Sequence, residues 1–133
     1  FPFVDAWPGT SYVHSVGMDV YNQWWTDADK DPVHRWGTLL NQQFGLNDHA
    51  RFAAAVKKPI SFPEWATGTR PDGHGAGDDP LFIRNMSDWI KTHNVAFHNY
   101  WNYPASDYNG VLKNNPKSEA AFLEQWGNNT GGT

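Results

Sequence analysis

Three short apolar runs alternate with three amphipathic stretches along this chain, and that order dictates most of what it can become. Residues 13–21, 59–64 and 95–101 have the length of strands. Residues 47–58 place His49, Phe52, Ala53 and Val56 on one helical stripe, and residues 80–93 do the same with Phe82, Met86, Trp89 and Ile90. Residues 118–126 align Glu119, Phe122, Leu123 and Trp126, and one or two helical turns fit 33–44. Asn47 or Asp48 can cap the first of these helices, and Asp79 followed by Pro80 can open the second.

Strand–helix alternation predicts an α/β fold with a parallel sheet and right-handed crossovers. Within 13–21, Val16, Met18 and Val20 share one face, while Ser15, Gly17, Asp19 and Tyr21 share the other. A doubly wound sheet covered on both faces would be apolar on both, so the polar face predicts the interior of a barrel. A closed barrel needs eight strands and about 250 residues. This chain has 133 residues and shows three strands. The expectation is therefore one partial TIM-barrel domain over 1–133, with a loop at 1–11 and a frayed tail at 127–133.

Composition removes several function classes. Net charge is −4 without a basic run, which predicts no nucleic-acid partner. There is no cysteine, hence no disulfide framework or thiolate chemistry. No apolar run reaches the roughly 20 residues of a membrane span, so no membrane partner is expected. No signal peptide is visible, and the chain begins at Phe1 rather than Met, so the natural start is expected to be missing. The loop 67–79 contains Gly68, Gly73, Gly75 and Gly77 but lacks the Lys-Ser/Thr of a phosphate loop, and it predicts a mobile cover over a cleft. His74 with Asp72, Asp78 and Asp79 fits no standard ligand spacing, and neither a metal nor a cofactor is expected. No Gly-x-Ser-x-Gly elbow is present.

The aromatic content is high, with 8 Trp, 8 Phe and 5 Tyr. Tyr21-Asn22-Gln23-Trp24-Trp25 and Asn99-Tyr100-Trp101-Asn102-Tyr103 mix aromatic faces with amides, which suits sugar rings as well as an aromatic core. Both clusters follow strand ends, where α/β folds bind ligands. The third strand end is Phe62-Pro63-Glu64-Trp65. Glu64 is one of three glutamates; Glu119 and Glu124 belong to the last helix. A carboxylate there, next to Tyr21 of a neighbouring strand, would suit a glycosidase nucleophile.

The segments Trp7–Val13, Val16-Gly17-Met18-Asp19-Val20-Tyr21-Asn22, Lys58-Pro59-Ile60-Ser61-Phe62-Pro63-Glu64-Trp65 and Asp78-Asp79-Pro80-Leu81-Phe82-Ile83 resemble the C-terminal part of glycoside hydrolase family 26. That family is typified by β-1,4-mannanases of (β/α)₈ fold with two catalytic glutamates. The resemblance implies that the three strands are the sixth to eighth of such a barrel. It implies Glu64 as nucleophile, Tyr21 as its hydrogen-bonding tyrosine, Asp19 as an active-site aspartate and Trp101 as a sugar platform. Trp24 and Trp25 would extend the cleft. Trp65 beside Glu64, Asn102 beside Trp101, and His98 in the last strand join the candidates for substrate contact, His98 with a core role as the alternative.

The family's acid/base glutamate lies on the fourth strand, which this chain lacks. Two readings stay open: a retaining β-glycoside hydrolase module acting on a polysaccharide such as β-mannan, or a carbohydrate-binding fragment with little or no turnover. Three strands leave two unpaired edges, so completion by self-association or by a missing N-terminal barrel half is expected. The resemblance also implies a secreted protein.

Overall fold

The computed structural model describes residues 2–127. Four parallel strands form one sheet: β1 (Val16–Gly17), β2 (Val20–Asn22), β3 (Ile60–Thr67) and β4 (Val95–Tyr100). β3 is central, with β1 and β2 following one another along one side and β4 on the other. The helices are α1 (Phe3–Ala6), α2 (Pro32–Asn41), α3 (Leu46–Ala55), α4 (Pro80–Thr92) and α5 (Pro116–Trp126). The chain is thus a mixed α/β fold on a parallel sheet.

Differences from the expected boundaries have local causes. The single strand over 13–21 is two short strands, interrupted at Met18-Asp19. The segment 1–11 is not all loop, because Phe3 anchors a one-turn helix against Phe44, His49 and Phe52. α3 begins at Leu46, so Asp48 lies inside its first turn and accepts the Phe44 amide instead of occupying the cap position. α2 and α4 start as their Asp-Pro pairs suggest. Asp31 accepts from the His34 amide and Asp79 from the Phe82 amide. α5 begins at Pro116, and its amides of Lys117 and Ser118 are capped from outside by Asp78. The Gly127 amide bonds the Leu123 carbonyl and closes that helix; the rest of the expected tail lies outside the described residues.

The helices cover one face of the sheet. Val16, Val20, Ile60, Phe62 and Trp65 point into a single core with Leu46, Phe82, Ile83, Met86, Trp89 and Ala121. Fully burying a side chain such as Phe62 or Ile83 contributes about 1.5–3 kcal/mol. Among the described residues the opposite face has no covering layer. Gly17, Pro63 and Asn99 are exposed there, and Phe97 keeps 49% of its surface open to water. Parallel sheets are ordinarily covered on both faces.

An irregularity in β3 decides where Glu64 points. Gly17 pairs with Ser61 and Val20 with Trp65, so two residues on one strand path face three on β3. The pairing of Phe62 with His98 and Trp65 with Tyr100 shows the same surplus on the β4 side. β3 therefore carries a bulge at Pro63-Glu64. A bulge adds a residue and re-aims side chains. Here it lets Phe62 and Trp65, three positions apart, enter the same core while Pro63 and Glu64 turn away from it.

Candidate active site at the strand ends

Glu64 emerges from this bulge half-buried at the C-terminal rim of the sheet. The Tyr21 hydroxyl, on β2, donates a hydrogen bond to Glu64 Oε2. Burial first, and then this bond, pushes the Tyr21 hydroxyl above its ordinary value, so it remains a donor. Asp19 lies close to Glu64. Burial and then the Glu64 charge raise its carboxyl above the usual range, partly offset by the Glu64 backbone amide.

An open cavity of ≈ 340 Å³ lies over this pair, lined by Tyr21, Gln23, Glu64, Arg70, Trp101 and Asp107, with Tyr108 at its back. Trp101 follows β4 directly, and its amide bonds the Trp65 carbonyl. Its ring meets Tyr103 edge-on at 5.5 Å. The cavity brings Tyr21, Glu64 and Trp101 together, with Asp19 beside Glu64.

Tyr108 sets the position of Tyr21. The two rings lie 4.8 Å apart, and the buried Tyr108 hydroxyl donates to the Asn22 carbonyl at 2.9 Å. Asn22 itself sits in a buried polar network beneath the rim. Its amide donates to Thr67 Oγ1 and to Asp79 Oδ2, and its Oδ1 accepts from Arg35 Nε. That network ties α2 and α4 to the ends of β2 and β3, so the rim is rigid where Tyr21 leaves it.

The other expected contacts lie elsewhere. Trp65 is fully buried in the helix-side core, where the bulge directs it, and its indole donates to His98 Nδ1 at 3.2 Å. This corrects the expectation of sugar contact for Trp65. His98 likewise faces the helices, its ring tilted against Trp126 at 4.3 Å, and not the bare face of the sheet. Asn102 accepts the Leu112 amide and braces its own loop, and it does not line the cavity. Trp24 is half-buried between His74 and Lys30. Trp25 is 58% exposed and lines a neighbouring cavity of ≈ 260 Å³ that shares Tyr21 and Gln23.

The loop 67–79 is pinned on both sides. The Thr69 and Asn109 backbones exchange two hydrogen bonds, Gly77 bonds Gly68, and Ala76 bonds the Asn22 carbonyl. A Cβ on Gly68 would overlap the Asn109 carbonyl, so only glycine fits that crossing. His74 Nδ1 donates to the Trp24 carbonyl, Asp72 pairs with Arg70, and Asp78 and Asp79 cap helices. Among the described residues no group of three or more His, Cys, Asp or Glu is arranged to hold a metal. No described helix is long and apolar enough to cross a membrane.

Arg70 and Tyr108 were not singled out by sequence. Tyr108 follows a plain loop, and its role depends on a hydrogen bond to a residue 86 positions away. Asp107 had a weak signal, as a carboxylate in a loop after a strand end.

Comparison with protein families, curated proteins and solved structures gives no match for this chain.

Proposed function

We propose that this chain is a carbohydrate-active segment of a (β/α) barrel and that it works as a retaining β-glycoside hydrolase module of the mannanase type. The observation that carries the reading is the Tyr21–Glu64 hydrogen bond inside a cavity whose wall is Trp101. The resemblance to glycoside hydrolase family 26 points to the same residues. The barrel part rests on the sheet: all strands are parallel, the helices lie on one face, and the bare face carries the polar side of β1 and β2.

In this reading Glu64 attacks the anomeric carbon of a sugar stacked on Trp101. The glycosidic bond breaks, and the departing oxygen takes a proton from a second carboxyl group. Water then releases the sugar from Glu64, giving its proton back to that group. Tyr21 holds one Glu64 oxygen, which leaves the other to attack. The acid/base group would come from a missing N-terminal half of the barrel or from a second copy of the chain, and either would cover the bare face. A polysaccharide substrate fits an extracellular protein.

A second reading is a carbohydrate-binding segment with little turnover. It is favoured by the placement of the other glutamates on α5, where Glu124 pairs with Arg84, away from the cavity. Hydrolysis of an aryl β-mannoside and of β-mannan separates the two. Turnover that disappears in Glu64→Ala supports the enzyme. Binding of manno-oligosaccharide without product, lost in Trp101→Ala, supports the second reading. Neither binding nor turnover would overturn both.

A further inference from the structure

The charge around the Glu64 cavity is unbalanced. Arg70 is its one cationic lining residue among the described residues, and that guanidinium is already committed. Its Nε and Nη2 hold Asp72 in a bidentate pair at 2.9–3.2 Å, and Nη1 donates to Gln23 at 3.0 Å. The Arg70–Asp72 pair is therefore close to neutral as seen from the cavity. Glu64 and Asp107 face the same space, and no described cation forms an ion pair with either. Asp19 adds a further carboxyl group beside Glu64.

The two residues that follow Asp107 are held in place. Tyr108 is anchored to Asn22, and Asn109 is bridged to Thr69. Asp107 itself is exposed to solvent on the cavity wall. It shares the cavity with Trp101. A sugar stacked on Trp101 would present its hydroxyl rim to the cavity's polar groups, where a carboxylate accepts from two hydroxyls at once.

We propose that Asp107 is a specificity-determining residue that admits uncharged sugars to this cavity and excludes carboxylated ones. It accepts hydroxyl hydrogen bonds from a neutral pyranose, and it repels a uronate whose charge no free cation would balance. This rests on the carbohydrate reading of the Glu64 cavity and adds a substrate class to it.

The test compares mannotetraose with a β-1,4-linked tetramannuronate, which differs only in a carboxylate for each hydroxymethyl group. Binding to the intact chain is measured by calorimetry, for the wild type and for Asp107→Asn. The expected result is a preference for mannotetraose on the order of tenfold, which narrows to about threefold or less in the variant. A second readout needs no variant: the wild-type preference shrinks as salt rises from about 10 mM to about 1 M. Equal binding of both sugars to the wild type overturns the proposal and leaves the carbohydrate reading standing. A preference unchanged by both Asp107→Asn and salt does the same. Binding of neither sugar overturns both.

Discussion

Arg35 and Asp79 meet at 2.6 Å beneath the ends of β2 and β3, each less than a tenth exposed. Arg35 also donates to Asn22 and to the Asp29 and Lys30 carbonyls, while Asp79 caps α4. Asp79→Ala removes the partner of a buried cation, an acceptor of Asn22 and a helix cap. The expected loss is about 3–5 kcal/mol, read from urea unfolding. Arg35→Met combined with Asp79→Leu is expected to be milder than Asp79→Ala, because no charge is then stranded. A loss below about 1 kcal/mol for Asp79→Ala would mean the network does not anchor the rim.

Tyr21→Phe keeps the ring against Tyr108 and removes only the donor to Glu64. A hydrogen bond to a charged group is typically worth about 1.5–3 kcal/mol, so kcat on an aryl mannoside should fall about 10- to 100-fold with KM little changed. The Tyr21 hydroxyl is raised above its ordinary value, first by burial and then by Glu64. It therefore adds no alkaline limb to the activity profile between about pH 7 and pH 10. Wild-type kcat in Tyr21→Phe would remove Tyr21 from the site.

Stability should fall on mild acidification. Burial lowers the His98 value, with Lys91 as the lesser cause, and burial also lowers that of His49. Each therefore binds a proton more readily in the unfolded chain. Their contribution is present above the unfolded value of about 6.5 and is lost as pH falls through the folded values. Urea midpoints at about pH 7.5 and about pH 5 measure the drop. His98→Gln, which keeps an acceptor for the Trp65 indole, should make it smaller; an unchanged drop would exclude His98 as a contributor.

Gly68→Ala places a methyl group against the Asn109 backbone. Separating that crossing should cost about 1–3 kcal/mol by the range for overpacking. It should also loosen Arg70, two residues away, from Gln23 and the cavity wall. Thermal unfolding and sugar affinity should both decline. A Gly68→Ala protein as stable as the wild type would show that the loop crossing is soft.

The bare face of the sheet predicts association. Phe97 lies there in register with Ser61, and both outer strand paths offer unpaired backbone groups. Light scattering at micromolar concentration should give a mass above 15.1 kDa, and Phe97→Asp should lower it. A mass of one chain for the wild type would count against completion by a second copy.

Much of the framework was legible because strand and helix leave separate periodicities. Val16 and Val20, spaced for one face, do enter the core, and Asp79-Pro80 does open a helix. The pairing of Glu64 with Tyr21 was also legible, since both stand at the ends of adjacent strands. Trp65 was misplaced for one physical reason, whereas His98 takes the core role that was its alternative reading. Strict alternation from Phe62 puts Glu64 in the core and Trp65 on the opposite face, and the bulge reverses this. No residue type announces that reversal, because it arises from a mismatch with strands far away in the chain. The loop 67–79 looked free because its glycines suggest mobility. Gly68 and Gly75 serve close backbone crossings instead.

The bulge in β3 also bears on how this site could arise. A regular ladder would place one residue between Phe62 and Trp65, where β3 has two. Deleting Pro63 would give a regular ladder with the neighbouring strands in which Phe62 and Trp65 still enter the core and Glu64 still faces the Tyr21 side. Gain or loss of that single codon therefore leaves the faces of Phe62, Glu64 and Trp65 unchanged, and a simpler ladder could have preceded the bulged one.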